Sequence, residues 1–255
     1  MFENNQNEIV GILEYHYDFY SRYLKNERDI LVWLPHSSQT TSKKYPVLYM
    51  HDGQNLFNPS TSFSGFDWKV DETISDLSSK NLAEELIVVG INNTPDRLNE
   101  YNFFTDKGKN YSLFIKNELM PFIEERYPVK TGSNNTGIMG SSMGGLCSFQ
   151  LFWNYPQIFG KAACLSSSFW IDEKKVFEMI KQQGKPKSGF KLYLDCGDEE
   201  KELIDDNLEM IKKLKDMGIK NSDELMYHIQ KGGTHSEYDW ARRLHIPISF
   251  LFTNK

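Results

Sequence analysis

The chain has 255 residues, of which 39% are hydrophobic and 25% charged, and its formal net charge is -6. These values are typical of a soluble globular protein with one large core, and they exclude fibrous and disordered classes. The acidic balance and the absence of a long Lys/Arg cluster argue against a nucleic-acid partner. We therefore expect one domain over residues 1–255.

The amino terminus and the cysteines bear on localisation and cofactors. The first residues, MFENNQNEIV, are polar and acidic, unlike a secretory signal, and no apolar run reaches transmembrane length. We expect a cytoplasmic protein without a membrane partner, although a secreted chain with its signal removed would look the same. Cys147, Cys164 and Cys196 are odd in number and lie in apolar settings, which favours buried free thiols. No CxxC or HExxH pattern occurs, so no metal site is expected.

The predicted elements alternate along the chain. Residues 11–20 and 29–34 predict an antiparallel hairpin. Six apolar runs typical of strands buried on both faces follow at residues 46–51, 85–91, 136–140, 161–166, 190–195 and 224–230. Helical spacing occurs at residues 70–77, 111–127, 142–154, 174–181 and 200–217. This order predicts an α/β fold with a mostly parallel sheet of about eight strands and helices on both faces.

The strongest functional motif lies where the third of these runs meets a helix. Residues 140–144, GSSMG, fit G-x-S-x-G at a strand-to-helix turn. Such a turn projects the hydroxyl of Ser142 above the sheet, while Gly140 and Gly144 leave room for close packing. The bare pattern is common by chance, but its position favours Ser142 as a nucleophile over the neighbouring Ser141. A serine hydroxyl is weakly nucleophilic by itself and needs a base.

The expected base is His235. Triads on this fold run nucleophile, acid, histidine along the chain, and His235 lies in a Gly-containing loop just after the last predicted strand. The other histidines fall within or beside strands or in the C-terminal helical region. They are His16, His36, His51, His228 and His245, and we assign them structural roles.

The acid should follow the strand at residues 190–195, where four carboxylates crowd the turn DCGDEE. It must reach the histidine Nδ1 and stabilise the imidazolium that forms. Asp195 is expected to remain in the strand and Glu199 to face solvent. The residues themselves leave Asp198 and Glu200 as equal candidates, and the unused carboxylates would favour a helix N-terminus.

An oxyanion hole for this chemistry needs two backbone N–H groups. One is expected from Met143, the residue after the nucleophile. The other is expected from the loop HDGQN after the strand at residues 46–51, where Gly53 allows the chain to turn the amide of Gln54 inward. A plain turn without this role is the alternative.

Taken together, these residues resemble the putative esterase family of α/β-hydrolases, which includes enterochelin, feruloyl and acetyl-xylan esterases. The resemblance covers nearly the whole chain and includes LYMHDGQNLF, VGINN with Arg97, SSSFW, LDCGDEE and GGTHSEYDWARRL. In that family the acid commonly stands three residues after the glycine that ends this strand, which implies Glu200 rather than Asp198. Neither a metal nor an organic cofactor is implied.

The expected function is a serine carboxylic ester hydrolase that works through an acyl-enzyme on a small-molecule ester. Trp170 and Phe57 could line the pocket for an aromatic, sugar or siderophore-type ester, and so could Phe103 or Phe104, although most aromatics simply pack in a core. Arg97 could bind an anionic group, or form an ion pair with Glu100 or another acid.

The alternative functions are an acyltransferase or thioesterase on the same triad and a non-catalytic binding module. The sequence gives no indication of the oligomeric state.

Overall fold

The computed structural model describes residues 9–187, 189–220 and 223–253. Residues 1–8, which include most of the segment used to predict localisation, lie outside the described part. The described chain forms eight strands in one sheet, in the order β1-β2-β4-β3-β5-β6-β7-β8. The strands are β1 (Ile12–Ser21), β2 (Asn26–Leu34), β3 (Val47–His51), β4 (Ile87–Ile91), β5 (Thr136–Ser141), β6 (Lys161–Leu165), β7 (Lys191–Gly197) and β8 (Leu225–Gln230).

Strand direction changes only at the edge of the sheet formed by β1 and β2. β1 pairs with β2 and β2 pairs with β4 in antiparallel register, whereas the pairs from β4 to β8 are all parallel. The predicted hairpin and the predicted mostly parallel sheet are therefore confirmed. Parallel strands place their carboxyl ends at one edge, and this edge collects the loops that follow β3, β5, β6, β7 and β8.

The helices cover both faces of the sheet. They are α1 (Val70–Ser79), α2 (Arg97–Glu100), α3 (Asp106–Phe114), α4 (Met120–Arg126), α5 (Met143–Asn154), α6 (Ile171–Gln183), α7 (Ile204–Asp216), α8 (Glu237–Arg243) and α9 (His245–Leu251). A π-helical turn, Ile115–Leu119, joins α3 to α4. The helix predicted at residues 111–127 starts earlier than expected, because the Thr105 side chain accepts a hydrogen bond from the Gly108 amide and caps α3.

Each face of the sheet has its own apolar cluster, because side chains alternate along a strand. In β3, Tyr49 packs into the cluster of α3 and α5, whereas Leu48 and Met50 pack into the cluster of α1, α8 and α9. The three cysteines are buried and free, as predicted. None of the helices in the described ranges has the length and apolar character needed to cross a membrane.

Candidate active site

Ser142 occupies the sharp turn between β5 and α5. Its backbone has φ 56° and ψ -122°, a conformation that L-residues rarely adopt. The Ser142 amide donates a hydrogen bond to the Leu165 carbonyl at 2.9 Å, which ties the turn to the end of β6. The side chain therefore sits at the carboxyl edge of the sheet, where the sequence motif placed it.

Two glycines make this turn possible because they have no side chain. A Cβ at Gly140 would lie 2.7 Å from the backbone of Gly144, and a Cβ at Gly144 would lie 3.3 Å from the Cβ of His51. The first helical turn of α5 consequently packs directly on β5, as the sequence predicted. Any side chain at Gly140 would push α5, which begins directly after Ser142, away from β5.

Glu200 and His235 meet across the loops that follow β7 and β8. Nδ1 of His235 lies 2.8 Å from Oε2 of Glu200, while Oε1 accepts hydrogen bonds from the Gly197 amide at 2.8 Å and from the Ser166 hydroxyl at 2.7 Å. Burial opposes ionisation of this carboxyl, but the three hydrogen bonds outweigh it and lower the pKa of Glu200. The carboxylate therefore faces the imidazole in its ionised form.

Asp198, the other candidate acid, points elsewhere. Its Oδ1 accepts a hydrogen bond from the Gly232 amide at 2.6 Å, so it fastens the loop that carries His235. The two loops also touch through their backbones, since a Cβ on Gly197 would overlap the Gly233 carbonyl. The structure thus brings Glu200, rather than Asp198, to the histidine.

Glu200 is held in place by residues to which the sequence assigned no role. The Ser166 hydroxyl, which donates to Glu200, accepts hydrogen bonds from Nε1 of Trp240 at 2.9 Å and from Nη2 of Arg243 at 2.7 Å. Arg243 is 1% exposed and also forms two hydrogen bonds with Asp195, at 2.9 and 3.0 Å. The segments SSSFW and DWARRL contain these residues, but nothing in their spacing indicates that the two segments meet.

The hydroxyl of Ser142 has one hydrogen-bond partner among the described residues, the Ser168 hydroxyl at 3.4 Å. Ser142 and His235 nevertheless line the same two cavities, one on each side of the pair. Ser168 was not singled out from the sequence. Catalytic hydrogen bonds are often long in unliganded enzymes and shorten when substrate binds.

The backbone amides expected to form the oxyanion hole lie at the same edge. Met143 is the first residue of α5, where amides have no intrahelical partner. Gln54 belongs to a short 3₁₀ turn, Gly53–Asn55, and lines one of the two cavities. The reason given for Gly53 needs correction: Asp52 adopts the positive φ of 57°, whereas a Cβ on Gly53 would lie 2.7 Å from the Gly90 backbone.

Arg97 forms an ion pair with Asp52, at the base of this turn. Its Nε and Nη2 lie 2.7 and 2.8 Å from the two carboxylate oxygens, and Nδ2 of Asn93 donates to the same carboxylate at 2.6 Å. Glu100 instead pairs with the buried Arg28, at 2.9 Å. Arg97 lines a cavity, but its charge is balanced within the protein.

His51 lies beneath the site, at the end of β3. It is 1% exposed, and its Nδ1 lies 2.9 Å from the Tyr111 hydroxyl. Burial lowers the pKa of His51 to about 3, so the imidazole is neutral at physiological pH. Its enclosed position fits the structural role assigned from the sequence.

Two cavities open on either side of Ser142 and His235. The first cavity, about 680 Å³, is lined by Trp170 and Leu203 together with the loop that carries Glu200. The second cavity, about 450 Å³, lies on the side of Gln54 and Arg97. Trp170 is 52% exposed at the rim of the first cavity, whereas Phe57 is 2% exposed and packs in the core.

The structure therefore does not bring Phe57 to a cavity wall, because its side chain fills the apolar cluster under the loop. Phe103 and Phe104 also pack against protein groups. The Phe103 ring contacts Tyr155, and the Phe104 ring lies under the ammonium group of Lys175. Within the described residues, no three His, Cys, Asp or Glu side chains form a group suited to a metal ion.

The chain is similar to several known proteins. Residues 21–247 match the model of the family described as Putative esterase. The uncharacterized protein YbbA of Bacillus subtilis is 27% identical over 252 residues, 91% of this chain and 95% of that protein. The iron(III) enterobactin esterase of Escherichia coli O6:H1 is 22% identical, over 86% of this chain and 52% of that protein. A solved ferulic acid esterase matches with a TM-score of 0.77 at 22% identity, over 96% of this chain and 99% of that chain.

The sheet order and the turn at Ser142 define an α/β-hydrolase fold, and the predicted fold class is confirmed. The chain belongs to the putative esterase family, whose model covers most of its length. The protein is accordingly a carboxylic ester hydrolase, acting on a small-molecule ester.

Proposed function

We propose that the protein hydrolyses esters through an acyl-enzyme on Ser142, with His235 as the base and Glu200 as the acid of the triad. The observation that carries this proposal is the 2.8 Å contact between His235 Nδ1 and Glu200, in a site where His235 and Ser142 line the same cavities. The strained backbone at Ser142 supports it, since such conformations cluster at functional turns.

In the first step, Ser142 Oγ attacks the ester carbonyl carbon while His235 Nε2 takes the hydroxyl proton. The tetrahedral intermediate then collapses, the bond to the alkoxy oxygen breaks, and the imidazolium returns the proton to the departing alcohol. In the second step, a water attacks the acyl-enzyme with the same histidine as base, which releases the acid and restores Ser142. Glu200 keeps the Nδ1–H tautomer and stabilises the imidazolium.

The negative charge on the carbonyl oxygen is assigned to the amides of Met143 and Gln54. Met143 offers a free N–H at a helix N-terminus, where the helix dipole also favours an anion. Gln54 is fixed by the Asn93 amide, which donates to its side-chain oxygen at 3.2 Å. These donors act in a partly enclosed site, where each hydrogen bond to a developing charge is stronger than in water.

The first cavity and the relatives support a substrate class. Trp170 and Leu203 give this cavity an aromatic and apolar wall, which suits an aromatic ring. Two similar proteins are named for esters of this kind, an iron(III) enterobactin esterase and a ferulic acid esterase. We infer an ester with an aromatic, siderophore-type or sugar component.

The test replaces the nucleophile. Ser142→Ala should lower turnover of a p-nitrophenyl ester by on the order of a thousandfold or more, because the acyl-enzyme cannot form. A fluorophosphonate probe should label the wild-type protein and Ser141→Ala, but not Ser142→Ala. Labelling that persists in Ser142→Ala, or turnover that is unchanged, would sink the assignment.

A further inference from the structure

A buried carboxylate without a protein partner lies beside the proposed triad. Glu237 is the first residue of α8, two positions after His235, and it is 9% exposed. It lines the second cavity together with Ser142 and His235. Among the described residues, none donates a hydrogen bond or forms an ion pair to the Glu237 carboxylate.

Helix capping does not account for this carboxylate. Ser236 caps α8 by accepting a hydrogen bond from the Asp239 amide at 3.3 Å. The Asp239 carboxylate closes the same turn by accepting from the Thr234 amide at 2.8 Å and the Thr234 hydroxyl at 2.6 Å. Both capping positions are filled, so the turn does not use Glu237. Because Glu237 lines the second cavity, a ligand in that cavity that donates hydrogen bonds can bind its unpartnered oxygens.

The other charged residues that line this cavity do not neutralise Glu237 either. The Arg97 guanidinium is held by both oxygens of Asp52, and Asn93 donates its side-chain amide to the same carboxylate. The charges of Arg97 and Asp52 thus cancel, and the cavity keeps the negative charge of Glu237. The cavity should disfavour anionic groups and accept groups that donate hydrogen bonds.

We propose that Glu237 binds a vicinal diol of the substrate, an inference that rests on the proposed ester hydrolysis. Its two oxygens can each accept one of two adjacent O–H groups. The same cavity is also lined by the side-chain amides of Gln54 and Asn55 and the hydroxyl of Thr61, which suit hydroxyl groups better than a cation. Phe63, 91% exposed at the rim, offers a flat face to a ring that bears the diol. A sugar and a catechol present the same diol.

The test uses two pairs of esters that differ only in the diol. One pair is 1-acetylglycerol and propyl acetate, with the diol on the alcohol; the other is ethyl 2,3-dihydroxybenzoate and ethyl benzoate, with a catechol on the acyl group. In Glu237→Gln, the ratio of kcat/KM for the diol ester over its hydroxyl-free partner should fall by roughly tenfold or more in at least one pair, mainly through KM. The pair that responds identifies the source of the diol.

Glu178→Gln is the matched control, because it removes an exposed carboxylate from α6, away from both cavities. This control should keep the wild-type ratios. Ratios that stay unchanged in Glu237→Gln while the hydroxyl-free esters are still hydrolysed would overturn the diol site alone. A larger loss on acetylcholine than on either diol ester would overturn it in favour of an ammonium site. If the wild type hydrolyses none of the esters, the proposed function itself fails, and the diol site with it.

Discussion

At the residue scale, the turn after β7 decides which carboxylate contacts His235. Glu200 is held by the Gly197 amide and the Ser166 hydroxyl and points one oxygen at His235. Asp198 accepts from the Gly232 amide instead. A charge buried beside the imidazole stabilises the imidazolium that forms during acyl transfer, whereas a charge on the outer loop does not. The two acids therefore have different expected contributions to kcat.

Glu200→Gln should lower kcat by roughly a hundredfold or more, because an amide keeps the shape of the side chain but cannot stabilise the imidazolium. Asp198→Asn should stay within about threefold of the wild type, since an amide oxygen can still accept from Gly232. Steady-state kinetics on one p-nitrophenyl ester checks both variants. A severe loss in Asp198→Asn alone would reverse the assignment.

The sequence predicted the turn that carries the proposed acid, but its residues alone could not choose between the two carboxylates. Family resemblance favoured Glu200, and the structure brings that residue to His235. Ser166 and Arg243 were missed because they stand 77 positions apart, and only the folded sheet brings their side chains together. Phe57 is the converse case. It is close in sequence to the predicted oxyanion loop, but its ring points into the core and not toward a cavity.

At the element scale, the 3₁₀ turn after β3 is held in place by packing against β4 and by hydrogen bonds to Asp52. Gly53 presses against the backbone at Gly90, and the Asp52 carboxylate is held by Arg97 and Asn93. The Tyr101 hydroxyl accepts from the Asp52 amide at 3.1 Å. Because Gln54 follows this clamped pair directly, Arg97 is expected to position the oxyanion amide rather than to contact substrate.

Arg97→Lys should lower kcat by about tenfold or more with little change in KM, because one ammonium cannot replace the two-point contact that orients Asp52. Arg126→Lys, an exposed arginine on α4, is the control and should behave like the wild type. If Arg97 instead binds an anionic substrate group, KM should rise for anionic esters only. Kinetics on a neutral and an anionic ester separates the two roles.

The sequence predicted the positions of strands and helices well where apolar periodicity is strong. The predicted helix ends were less accurate where side chains form hydrogen bonds with the backbone. The buried strands of the parallel sheet lie close to their predicted ranges. The helix predicted at residues 200–217 begins only at Ile204, after turns at residues 201–203, and the Glu200 side chain just before these turns accepts a hydrogen bond from the Gly197 amide. Hydrophobic spacing contains no information about such a bond.

At the scale of the whole molecule, the parallel sheet places the residues of the proposed triad at one edge and encloses His51 beneath them. The pKa of His51 falls from 6.5 to about 3, chiefly because the residue is fully buried. When the pH drops below 6.5, the unfolded chain binds a proton at His51 before the folded chain does. Stability is therefore lost on acidification, from pH 6.5 down to about pH 3, and is fully present above pH 6.5.

His51→Asn should weaken this pH dependence, since an amide can keep the hydrogen bond with Tyr111 but does not titrate. At pH 5 the His51 contribution to destabilisation should be about 2 kcal/mol, because each pH unit between the two pKa values is worth about 1.4 kcal/mol. Urea unfolding at pH 7.5 and pH 5 measures the loss, with exposed His36→Asn as the control. The comparison uses the change in unfolding free energy between the two pH values, because the smaller side chain also lowers stability at every pH. Equal losses in the wild type and His51→Asn would show that His51 is not the group whose protonation unfolds the protein in acid.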